Sequence, residues 1–192
     1  MNKRIFSLVL ALVLALASLT VAFAESSPVI ATVTTATVAS VVSASGVELP
    51  ADFTVTANDA TAATTALAAT IASALQAGDV AGVFGDEAAA AISQVILGKA
   101  NASDLKVEEV FPLTVANYSE TYGDIIVTLD LPADYASDAV MVALIGYYDA
   151  NGELVWIVAE AEVVAGQLVL TLDAATLAAN TDGEFTVALL GA

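Results

Sequence analysis

Glu160 and Glu162 stand two residues apart, so on a strand their carboxylates share a face with Trp156 and Val158. A glycosidase needs two acids flanking the sugar about 5 to 9 Å apart, and residues i and i+2 of a strand fall in that range. Nothing in the surrounding sequence marks either acid as desolvated, and one tryptophan is a thin sugar platform. Solvent-facing acids that discourage strand pairing account for the spacing with fewer assumptions. Asp86-Glu87 at a helix start and Glu108-Glu109 at a strand entry read as charged surface pairs in the same way.

Ser103 and Lys106 match the serine-x-x-lysine spacing in which a neutral lysine activates a serine. The companion S-D-N and K-T-G motifs are missing, and the serine lies in a turn-like stretch, so chance is the better account. The turn from Asp149 to Glu153 presents oxygens two residues apart, as a calcium loop does, but glycine comes fourth rather than sixth. Asn151-Gly152 supplies the positive φ values of a tight hairpin instead. Asn101 and Asn117 fit the glycosylation sequon and are incidental in a bacterial-type export context. Tyr147, Tyr148 and Trp156 form the densest aromatic cluster: a candidate ligand-facing patch, with core packing as the favoured alternative.

Whole chemistries are excluded by residue type. The 192 residues contain no Cys and no His. Thiolate, disulfide, imidazole-metal and Ser-His-Asp mechanisms therefore fall away, and no catalytic, cofactor-binding or metal-ligating residue is assigned. Four Lys and Arg stand against 22 Asp and Glu, a formal charge of −18. Such a balance argues against nucleic acid and against anionic lipid headgroups.

Residues 1–24 have the form of an export signal: Lys3 and Arg4, an apolar run from Ile5 to Val21, then Ala22-Phe23-Ala24 before polar Glu25. Cleavage after Ala24 leaves Lys99 and Lys106 as the only cations. The mean hydropathy of +0.83 comes from alanine and valine rather than from a further span, since no later run of 18 residues lacks polar interruption. The expected destination is secreted or cell-surface, without membrane insertion.

Three regions follow. Residues 25–57 are Val/Thr/Ser-rich and β-prone, with a long or broken strand at 26–45 and a short one at 53–56. Residues 58–105 are helical. Asn58 or Asp59 is the expected cap of a helix carrying Leu67, Ile71 and Leu75 and ending at Gly78. An apolar link, 79–85, leads to a second helix from Asp86 that carries Ile92 and Ile96 and stops at Gly98. Residues 106–192 read as six strands. The alternation of Ile125, Val127, Leu129 and Leu131 marks a half-buried strand, and the apolar run 139–145 a central one. Hairpin turns fall at 149–152 and 165–166, Asp173 caps a helical turn, and a last strand carries Phe185, Val187 and Leu189. The fold class is α+β: an N-terminal Val/Thr-rich strand and Ala-rich helix pair, then a C-terminal antiparallel β-sandwich of immunoglobulin-like size.

The stretches FPLTVANYSETYGDIIVTLDL and AVMVALIGYYDANGELVWIVAEAEVVAGQLVLTLD resemble the C-terminal β-sandwich modules of uncharacterised secreted proteins from Gram-positive, clostridia-like bacteria. The resemblance covers roughly the last half of the mature chain, implies a fold and an export route, and transfers no catalytic residue. The expected function is a non-enzymatic extracellular binding or surface-structural module with a protein or envelope-glycan partner; a carboxylate-dependent glycan hydrolase is the alternative. The segment Val29 to Ser43 is a candidate for pairing with a second copy, against the simpler role of an ordinary first strand.

Overall fold

The computed structural model describes residues 36–59, 61–131, 140–149, 152–180 and 182–192; residues 1–24, expected to be an export signal, and residues 25–35 lie outside them. Along the chain the elements are β1 (Thr37–Ser43), β2 (Thr54–Ala57), α1 (Ala62–Ala77), α2 (Val80–Val95), β3 (Lys106–Ala116), β4 (Ile125–Asp130), β5 (Met141–Tyr148), β6 (Leu154–Val164), β7 (Gln167–Leu172), α3 (Ala174–Ala179) and β8 (Glu184–Gly191).

The eight strands hydrogen-bond in one antiparallel series, β1-β4-β7-β6-β5-β8-β3-β2. β6 joins its two halves. Residues 154–159 pair with β5 and residues 160–164 pair with β7, so the sheet curls about this long strand. The end strands β1 and β2 come alongside each other without a ladder between them, which leaves the sheet nearly barrel-shaped. The strands expected to form two separate layers thus make one continuous curled sheet. The broad α+β class holds.

Period-two alternation sends Ile125, Val127, Leu129, Leu168, Leu170 and Leu172 into the interior of the curl, with Phe111, Leu113, Val187 and Leu189 opposite. β5 and β8 are buried on both faces. Their other side chains, Val142, Leu144, Ala188 and Leu190, form a second core with Ile71, Leu75, Phe84 and Ile92 of the helices. α1 lies over β3 and α2 over β6. The 58–105 region and the outer face of the sheet therefore share this second core.

Two helix boundaries differ from the sequence expectation. α1 is capped by Thr61, whose hydroxyl accepts the Thr64 N–H while the Thr64 hydroxyl accepts the Thr61 N–H. Asn58 is still held by the sheet: its N–H donates to the Pro112 carbonyl and its side-chain amide to the Thr114 hydroxyl, so it cannot open the helix. The link 79–85 is mostly helical. Gly78, with φ of 73°, turns the chain, and Asp79 caps α2 by accepting the Gly82 N–H. The expected start at Asp86 survives as a break at Gly85, where φ is 82°. No single helix among the described residues is long and apolar enough to cross a membrane; α1 and α2 together pass on length and composition but are bent by 81°.

Strand ends match their turns closely. Ala165 and Gly166 both take positive φ in the β6–β7 hairpin. Asp173 caps α3 by accepting the Thr176 N–H at 2.8 Å. Of the predicted 149–152 turn, Asp149 and Gly152 are described, with the Gly152 N–H donating to the Asp149 carbonyl; Ala150 and Asn151 lie outside the described residues.

Candidate functional site

The predicted aromatic patch is not assembled. Trp156 lies between sheet and helices at 6% exposure, edge-to-face on Phe84. Its indole occupies space that a side chain at Gly146, directly opposite on β5, would fill: a Cβ there would come within 2.8 Å of the ring. Tyr147 turns inward and packs against Phe185, centroids 6.2 Å apart. Tyr148 is 61% exposed. Residues 147 and 148 are adjacent on a strand and must face opposite ways, while Trp156 is claimed by the helices.

Glu160 and Glu162 are exposed, as surface acids should be. They sit where the helical cover runs out. Trp156 and Val158 of the same face are packed beneath the helices, and Glu160 emerges beside the end of α2, lining a concavity of about 380 Å³ with Gln94, Leu97 and Lys99. That concavity holds one carboxylate. Ser103 and Lys106 stand on different elements rather than on one core helix: Ser103 lies in a 3-10 turn, Ala102–Asp104, and Lys106 opens β3. In that turn the Asn101 side-chain and backbone N–H groups hold the Asp104 carboxyl below its ordinary range.

A second concavity, of about 420 Å³, opens at the barrel end where β3 leads into β4 and α3 leads into β8. Its floor is apolar: Val115, Leu177 and Phe185 belong to the barrel core. Its rim carries Asn117, Tyr118, Glu120 and Asn180. Three of these four rim groups, all but Glu120, are fixed by hydrogen bonds to backbone carbonyls. The Asn117 amide donates to the Asp52 carbonyl at 2.7 Å, the Asn180 amide to the Glu184 carbonyl at 2.6 Å, and the Tyr118 hydroxyl to the Gly123 carbonyl at 3.1 Å. Tyr118 also stands edge-on to Tyr122, which stands edge-on to Phe53. Gly183 closes the floor, and only glycine fits: φ is 67° and a Cβ would lie 2.1 Å from the Val115 carbonyl oxygen.

Tyr118 is held above the ordinary phenol range by burial first, then by the nearby charges of Asp124, Glu120 and Asp173. Nothing in the local sequence singles out Tyr118, Glu120 or Asn180, and Asn117 stands out there only as an incidental sequon. That Tyr118 and Asn180 lie at the same barrel end follows from strand order.

Glu109 is the one buried carboxyl with an orphaned oxygen: it is 6% exposed and its Oε2 has no hydrogen-bond partner among the described residues. Burial, with Glu108 alongside, pushes its carboxyl up to about 7. It was expected to be a surface strand-entry acid. A bulge between Val107 and Glu109 shifts the register, so that Glu109 faces Leu189, an interior position. Among the described residues no group of three or more acids is placed to hold a metal ion. The chain matches no family model, no curated protein and no solved structure.

Proposed function

We propose that this chain is exported by the leader at residues 1–24 and works outside the cell as an acidic, non-enzymatic binding or surface module, with the rim pocket around Tyr118, Glu120, Asn180 and Phe185 as its binding site. The observation that carries the reading is the make-up of that pocket. An apolar floor can take a ligand's carbon body, fixed amides and a phenol ring can orient its polar edge, and the lining contains a single carboxylate, Glu120. Acid–base hydrolysis of a glycan needs two. The concavity beside the end of α2 likewise has one, Glu160.

Strand order supports an immunoglobulin-like arrangement for part of the sheet. β1-β4-β7-β6 follows the A-B-E-D order of that fold and β5-β8 follows C-F, whereas β3, beside β8, comes earlier in the chain than strand G of that fold. Loops at the ends of such sheets are where binding residues usually sit.

The experiment is expression in a Gram-positive host, with mass analysis of the protein recovered from medium and wall, and with envelope glycan assayed for new reducing ends. A chain beginning at Glu25, recovered outside the cell and releasing no reducing ends, is the expected result. Protein retained in the membrane with its leader overturns the export reading, and turnover lost in Glu160→Gln or Glu120→Gln replaces the binding reading with the hydrolase alternative.

A further inference from the structure

Charge is unevenly placed around the barrel. Both lysines of the described residues lie away from the rim pocket: Lys106 pairs with Gly191 at the opposite end of β3, and Lys99 lines the other concavity. Carboxylates from three separate segments stand near enough to Tyr118 to act on its phenol, and one of them, Glu120, lines the pocket. Asp124 precedes β4 and accepts the Ala174 N–H at 2.8 Å; Asp173 caps α3; Glu120 sits in the 3-10 turn Glu120–Tyr122. Asp124 and Asp173 are fixed by these backbone contacts. Glu120, in the pocket lining, is exposed and makes no side-chain hydrogen bond or ion pair among the described residues.

From this arrangement we infer that the rim pocket takes a primary alkylammonium ion, its cationic head between the Tyr118 ring and the Glu120 carboxylate and its hydrocarbon body on Leu177 and Phe185. The inference rests on the binding reading above and gives its ligand a chemical class. An anion would enter against the field of three carboxylates with no cation to receive it. A neutral ligand would gain the apolar floor but nothing from that field. An ammonium ion gains the floor, the π-face of Tyr118 and the charge of Glu120 together. Burial first, and then these same carboxylates, holds the Tyr118 phenol above its ordinary range.

The test is an NMR titration of the chain from Glu25 with n-pentylammonium and, separately, with 1-pentanol, its neutral counterpart. The ammonium should shift the amides of Asn117, Tyr118 and Gly183 saturably, and the alcohol should bind several-fold more weakly. Glu120→Gln should weaken the ammonium about three- to fivefold, as expected of one partly exposed ion pair. Tyr118→Leu should weaken it by a similar factor, while Tyr118→Phe, which keeps the ring, should retain binding. Glu160→Gln, remote from the rim, should change nothing. Equal binding of the alcohol at the same residues overturns the cation inference and leaves the pocket as a binding site. Equal weakening by Glu120→Gln and Glu160→Gln reduces the effect to diffuse charge and also overturns it. Shifts from neither compound remove the inference and the binding site together.

Discussion

The indole of Trp156 meets the ring of Phe84 edge to face, centroids 5.3 Å apart and planes at 89°. This pair ties α2 to β6, and through it the helices to the outer face of the sheet. Trp156 is the only tryptophan, so its fluorescence reports on that interface alone. Phe84→Ala should cost about 3 to 5 kcal/mol of stability and shift the emission to the red as water reaches the indole. Urea unfolding followed by fluorescence checks both. An unshifted emission with unchanged stability would mean that helices and sheet do not share a core.

Gly183→Ala should be among the most damaging single-methyl additions. The new Cβ falls against the Val115 carbonyl oxygen, and the residue sits at φ of 67°, where L side chains are strained. Moreover the Gly183 carbonyl accepts the Val115 N–H at 2.8 Å, so the strands cannot simply part. A loss of about 2 to 5 kcal/mol is expected from strain and overpacking combined. Gly46→Ala is the control: its φ is 75° but nothing lies within 4 Å, so only the backbone term of about 1 to 2 kcal/mol applies. Paired denaturation midpoints decide, and equal losses would contradict the close approach at Gly183.

Glu109 makes stability fall with rising pH. Its carboxyl titrates near 7 in the folded protein and near 4.5 in the unfolded chain. Below 4.5 both states hold the proton and no penalty exists. Between 4.5 and 7 the unfolded chain releases a proton that the folded protein keeps, so stability declines, by about 3 kcal/mol in all. Above 7 the full penalty persists. Glu109→Gln should remove this decline and be the more stable protein at pH 7.5. Urea titrations of the two proteins from pH 4 to 8 isolate the residue, because every other carboxylate is common to both. Parallel profiles would contradict the buried, unpartnered carboxyl.

Strand alternation and turn chemistry made much of the fold legible. The period of two at 125–131, the doubly apolar run that became β5 and the Ala165-Gly166 turn each depend on neighbours in sequence, and each appears where expected. What depends on neighbours in space did not show. The Glu109 bulge inverts a side chain that local sequence places outside. Trp156 left the aromatic cluster because two helices cover its face. Tyr118 and Asn180 are 62 positions apart in sequence and share one rim only because β8 returns beside β3.

The segment Val29 to Ser43 is expected to be spent within the molecule. Its described part, β1, pairs with β4 from Thr37 to Ser43, and the Ser43 hydroxyl donates to the Tyr122 carbonyl at 2.6 Å. Chains beginning at Glu25 and at Ala36 should both elute as monomers on sizing. A larger species formed by the longer chain alone would show that residues 25–35 join copies by strand pairing.

The most direct measurement is the release of reducing ends from purified peptidoglycan by the chain from Glu25, followed over hours beside a protein-free control. Binding without cleavage predicts two indistinguishable traces. A protein-dependent rise that disappears in Glu160→Gln would contradict it and make this protein a hydrolase.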